Sequence, residues 1–165
     1  MSRELSHVDE AGAARMVDVS GKQPGPRAAV ATGVLRTTAE VIRLLESDGL
    51  PKGDALATAR IAGIMGAKRT PDLVPLCHPI AISGVTLDLV TGTGDTTGRV
   101  EIRAEVRTTD RTGVEMEALT AVAVAGLTLH DMIKAVDPAA VLDAVRVERK
   151  DGGKTEHWTR PEHRS

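Results

Sequence analysis

Residues 114–136, VEMEALTAVAVAGLTLHDMIKAV, constrain this chain more than any other stretch. They read as one helix, rich in alanine and apolar nearly all round, and such a helix has no face to give to water. Its charge-free run, Ala118–His130, is only 13 residues long, against about 20 for a helix that crosses a bilayer. The helix is therefore expected to lie buried inside a globular fold. With no Phe, no Tyr and a single Trp, the core around it must be Val, Ala, Leu, Ile and Met, and small side chains let backbones approach closely. The length, 165 residues, fits one domain with a core of its own.

The other elements order themselves around that helix. RAAVATGVLR, ending at Arg36, reads as a strand. TTAEVIRLLESDG reads as a helix capped by Thr37 or Thr38, with Val41, Ile42, Leu44 and Leu45 as its apolar stripe and Gly49 as its stop. After the turn LPKG, DALATARIAGIMGAKR reads as a second helix capped by Asp54, with Leu56, Ile61, Ile64 and Met65 turned inward. Gly63 and Gly66 weaken it unless a neighbour packs closely there. AISGVTLDLV and the cleanly alternating RVEIRAEVRT read as two strands of a hairpin across TGTGDTTG, and VLDAVRVERK as a last strand. Dropping one helix leaves β-α-β-β-α-β, the ferredoxin-like order. The expectation is an α+β fold: a four-stranded antiparallel sheet with helices on one face, in a single domain over 1–165. Residues 1–17 and 151–165 are expected to be mobile.

Several function classes are disfavoured. A net charge of −2 offers no basic field for nucleic acid, and base-stacking aromatics are missing. One cysteine makes neither a disulfide nor a multi-cysteine metal site, and Cys77, His78 and His130 have no recognisable ligand spacing. No charged-then-apolar segment opens the chain, so the expected compartment is the cytoplasm, without membrane attachment.

The residues that could carry chemistry each have a plainer alternative. Asp131 and Lys134 stand three apart on one helix face. They are either a surface ion pair at a helix C-terminus or an acid/base pair. Lys52 precedes a helix N-terminus that suits a phosphate, or simply marks the entry to that helix. Lys68 and Arg69 either hold an anion or complement the dipole where that helix ends. His78 is a general acid or base, or a solvated histidine. It follows Cys77 inside TPDLVPLCHPI, where Pro71, Pro75 and Pro79 favour stiff, extended backbone. Glu115 and Glu117 favour the start of the long helix, but Glu117 enters an apolar surrounding and wants a partner. Neither TGTG nor DGGK matches a P-loop or a dinucleotide fingerprint.

Taken together, MVDVS (16–20), KGDALATARIAGIMGAKRTPDLVPLCHPI (52–80), TGVEMEALTAVAVAGLTLHDMIKAV (112–136) and GGK (152–154) closely resemble the molybdenum cofactor biosynthesis protein C family, the cyclic pyranopterin monophosphate synthases. The resemblance runs in unbroken order over nearly the whole chain and departs at GKQPGP, TGTGDTTG and the tail with Trp158. It implies a lyase that converts 3′,8-cyclo-7,8-dihydroguanosine triphosphate to cyclic pyranopterin monophosphate with loss of pyrophosphate. It implies a ferredoxin-like homohexamer, a trimer of dimers with sites at subunit interfaces. No organic cofactor is implied; magnesium would come with the triphosphate. By motif, Asp131 and Lys134 are implied as the acid/base pair, Lys52 as a second catalytic lysine, and His78 as a further catalytic group. Leu76, Cys77, His78, Met116 and Glu117 are implied as substrate contacts. Lys68, Arg69, Arg27 and Lys154 are candidates for the phosphates or for a closing segment. The competing expectation is a non-catalytic ferredoxin-like oligomer that binds a small anionic metabolite with the same basic residues.

Overall fold

The computed structural model describes residues 7–47, 49–50 and 54–162. Strand β1 (Gly25–Arg36) is followed by helices α1 (Ala39–Glu46), α2 (Ala55–Lys68) and α3 (Thr70–Leu73). Next come β2 (Ile82–Thr91), a 3₁₀ turn at Gly94–Thr96, β3 (Arg99–Asp110), α4 (Glu115–Ile133), β4 (Val141–Asp151) and β5 (His157–Thr159). The sheet is antiparallel throughout, in the order β2-β3-β1-β4-β5.

The α+β, ferredoxin-like architecture is as expected, with β2 and β3 as a hairpin. The sheet has five strands rather than four. The tail turns at Gly152 and Gly153 (φ +92° and +86°) and returns as β5, pairing Trp158 with Lys150. Three residues are too few to show period-2 alternation, so β5 exists because β4 offers it an edge.

One face of β3 is buried, with Val100, Ile102, Ala104, Val106 and Thr108 pointing inward, while Glu101, Arg103, Arg107 and Thr109 between them are exposed and Glu105 is partly covered. The helices cover that face. α4 packs on β1, β3 and β4, and α2 packs on α4 and β2. α4 is apolar and long enough, at 19 residues, to cross a bilayer by composition. Here Ala118, Ala121, Val122, Ala125, Leu129 and Ile133 are fully buried in the core instead. Thr38 caps α1, its hydroxyl accepting from the Val41 N–H, and Asp54 caps α2, its carboxylate accepting from the Ala57 N–H at 2.9 Å.

Two expectations are corrected. Of the large apolar residues of α2 expected to face inward, Leu56 packs against the core and Ile64 is half-buried, but Ile61 and Met65 are not inside. The buried face of α2 is Ala55, Ala59, Gly63, Gly66 and Ala67, while Ile61 and Met65 are 60% and 54% exposed. Close approach to α4 decides this. A Cβ at Gly63 would lie 2.8 Å from the Ala121 carbonyl oxygen, and one at Gly66 2.8 Å from Val124 Cγ2. The second correction concerns the prolines. Pro71 sits in the first turn of α3, where its missing N–H costs nothing, so that part of the run is helical; Pro75 follows in a turn from Val74 to Cys77, and only the residues after it lie outside helix and turn.

Candidate active site

The antiparallel order gathers the site. β1 is central, and both neighbours run against it, so its first residues meet the last residues of β3 and β4. Gly25 stands opposite Asp110, and Ala28 opposite Asp151. α4 starts just after β3, so its N-terminus opens at the same end of the sheet. The diglycine turn after β4 folds back onto Pro26 and Arg27, so close that a Cβ at Gly152 would collide with the Pro26 carbonyl. That contact delivers Lys154 to the same place.

A cleft of about 670 Å³ results. Lys22, Arg27, Arg111, Lys150 and Lys154 line it, against only two carboxylates, Glu115 and Asp151. Both carboxylates are engaged. Lys150 Nζ donates to Glu115 Oε1 at 2.8 Å, and Asp151 bridges Arg149 at 3.0 Å and His157 at 2.6 Å. Arg111 is held in turn, its Nε donating to the Lys22 carbonyl at 3.0 Å. The cleft thus presents excess positive charge beside the N-terminus of a long helix, which suits a polyphosphate.

A second cavity of about 240 Å³ adjoins it and shares Thr112, Gly113 and Glu115 as a common wall. Leu76, Cys77, His78, Met116 and Glu117 line it, together with His7 and Ile80. The segment after α3 reaches it through a turn in which the Cys77 N–H donates to the Val74 carbonyl at 3.0 Å. Glu117 is 2% exposed, and its Oε2 finds no hydrogen-bond partner among the described residues. Burial, with like charge from Glu115, pushes its carboxyl up to about 7. Burial and the Glu117 charge push the Cys77 thiol up as well, which argues against a cysteine nucleophile. Asp18 is held low by the Ser20 N–H and hydroxyl, with a smaller contribution from His78.

Of the residues expected from sequence, Leu76, Cys77, His78, Met116 and Glu117 are brought together, and Arg27 and Lys154 line the neighbouring cleft. Asp131 and Lys134 do form the expected i,i+3 pair, at 2.7 Å with both side chains about half exposed. They lie at the other end of α4, about 21 Å (Asp131) and about 26 Å (Lys134) along the axis from Glu117 at about 1.5 Å per residue. Within one chain they do not join the cavity. Lys68 and Arg69 are exposed at the end of α2 and line neither cavity. Lys52 lies outside the described residues. Sequence reasoning missed Lys22, Arg111 and Lys150. Each falls in a loop or at a strand end, and only the strand register makes them neighbours.

The family model described as the MoaC family matches residues 16–153. Cyclic pyranopterin monophosphate synthase 2 of Mycobacterium tuberculosis is 62% identical over 159 residues, covering 96% of this chain and 93% of that protein. The cyclic pyranopterin monophosphate synthase of Streptomyces coelicolor is 65% identical over 156 residues, covering 94% and 89%. The Corynebacterium glutamicum protein of the same name is 54% identical over 156 residues, covering 94% and 97%. With more than half of its residues shared across almost its full length, the chain belongs to the MoaC family, and with it to the enzymes named cyclic pyranopterin monophosphate synthase.

Proposed function

We propose that this enzyme of molybdenum cofactor biosynthesis converts 3′,8-cyclo-7,8-dihydroguanosine triphosphate to cyclic pyranopterin monophosphate with release of pyrophosphate. The observation that carries the reading is the pair of adjoining cavities: a small half-polar pocket for a ring system, opening past Glu115 onto a cationic cleft for a polyphosphate. The ring pocket offers His78 and a buried carboxyl for proton transfer. The cleft offers five cations to hold the triphosphate and to stabilise charge as the cyclic phosphate closes and pyrophosphate leaves. Both cleft carboxylates are already bound by cations, so a magnesium ion would be carried by the triphosphate and not by a protein cage.

Asp131 and Lys134 act on the substrate, in this reading, from a second copy of the chain. Their separation from Glu117 along α4 supports a site shared between copies. Exposed apolar side chains on the helical layer, Ile61, Met65 and Leu127, give that layer a surface to bury. A homohexamer built as a trimer of dimers would supply such contacts.

The test uses purified protein and the cyclic triphosphate. Lys134→Ala keeps the fold and the assembly and abolishes pyranopterin formation; normal turnover by this variant overturns the reading. Mixing inactive His78→Ala with inactive Lys134→Ala under proven subunit exchange restores activity, because some shared sites then receive both wild-type groups. No recovery would place both residues in one chain's own site.

A further inference from the structure

The ion pair between Glu115 and Lys150 occupies an unusual position. Glu115 lines both the ring pocket and the cationic cleft, and it also lines a shallow hollow of about 320 Å³ beneath Trp158. Lys150 lines the cleft and that same hollow. The two side chains meet at 2.8 Å, about a third and a quarter exposed respectively for Lys150 and Glu115. The carboxylate curls back over Gly113, where a side-chain Cβ would strike its Oε2. The glycine thus leaves the room in which Glu115 lies against Lys150. Among the described residues, Lys22, Arg27, Arg111 and Lys154 of the cleft form no salt bridge to a carboxylate, whereas Lys150 does.

We propose that Glu115 is a built-in competing anion for Lys150: an entering polyphosphate displaces it, and its return to Lys150 helps to expel pyrophosphate. This rests on the reading of the cleft as the phosphate end of the site. The geometry makes it an exchange and not a fixed strut. Both groups stay partly exposed, so the pair is held by a modest free energy, and a multiply charged phosphate offers Lys150 stronger, charge-assisted hydrogen bonds. Lysine's flexible four-carbon stem lets its ammonium change partner without backbone change. Glu115 is then a positioning residue that sets how tightly the cleft holds its anion, and it protects turnover from product trapping.

Titration calorimetry with inorganic pyrophosphate tests this on the full-length protein. Glu115→Gln removes the competing charge while keeping the shape, and it is expected to bind pyrophosphate about five-fold more tightly than wild type. Glu115→Asp, which keeps the charge but draws it back from Lys150, is expected to fall between the two. Lys150→Met is expected to bind more weakly, and in its background Glu115→Gln gains less than in wild type. A merely structural pair would give the opposite result, both partners weakening binding when removed. Unchanged or weaker binding by Glu115→Gln and Glu115→Asp overturns the exchange while leaving the phosphate cleft intact. Failure of wild type and every variant to bind pyrophosphate overturns the reading of the cleft, and the exchange with it.

Discussion

Replacing Glu117 by Gln should alter stability in a way that depends on pH, and the size follows from burial. In the unfolded chain the carboxyl titrates at its ordinary value, 4.5; in the fold it is pushed up to about 7, because it is buried without a cation and Glu115 adds like charge. Between those values the unfolded chain has already lost the proton that the folded chain keeps. Folding therefore binds a proton in that window, and stability falls as pH rises through it, then levels off above about 7. At about 1.36 kcal/mol for each pH unit, the full loss is about 3 kcal/mol. Glutamine keeps the shape and a hydrogen-bond donor but cannot ionise, so it removes the slope. Urea denaturation of both proteins at pH 4 and pH 8, at one fixed protein concentration so that any contribution of self-association is held constant, gives the comparison. The advantage of Glu117→Gln over wild type should grow by about 3 kcal/mol from the acid to the alkaline condition. An advantage that does not change with pH, or that shrinks, would show the carboxylate ionised and stabilised in the native state, and the argument from burial would be refuted.

Further outcomes follow from packing and backbone. Gly63→Ala gains about 1 kcal/mol of helix propensity but drives a methyl into Leu87 and the Ala121 carbonyl. A net loss of about 1–2 kcal/mol is expected, read as a lower thermal midpoint; a stabilised variant would show that α2 and α4 are further apart than described. Ala144 holds φ at 52° in β4, inside the shift in register with β1 between Asp143 and Arg146. Ala144→Gly should relieve this left-handed strain and stabilise by up to about 1 kcal/mol, measured by the same denaturation.

Much of the architecture was legible because it depends on local signals. The long helix had to be buried, the caps at Thr38 and Asp54 are used, and the alternation in β3 is the alternation seen in its burial. The inward face of α2 was not legible. Hydrophobicity favours Ile61 and Met65 as core residues, but a helix pressed against an alanine-rich partner must offer its smallest side chains, and that partner is known only from the fold. The site divides in the same way. Leu76–His78 and Met116–Glu117 stand in motifs and meet in one pocket. Lys22, Arg111 and Lys150 are far apart in the chain and become neighbours through pairings such as Gly25 with Asp110 and Ala28 with Asp151. No local pattern records a register. The separation of Asp131 from Glu117 is simple helix arithmetic, and it is that separation which motivates the proposal of a site shared between copies.

Placing β1 at the centre of the sheet also dictates when the protein can fold. As the chain leaves the ribosome, β1 emerges early, but the strands that flank it, β3 and β4, end only at Asp110 and Asp151. Pairings between such distant segments form slowly and leave a bare strand edge while they wait. The cationic cleft needs both flanking strands and the turn beyond β4, so it is completed only after that turn has emerged. A polypeptide cut short before β4 would keep its helices and its ring pocket's motifs, and would still have an open sheet edge seeking another chain to pair with.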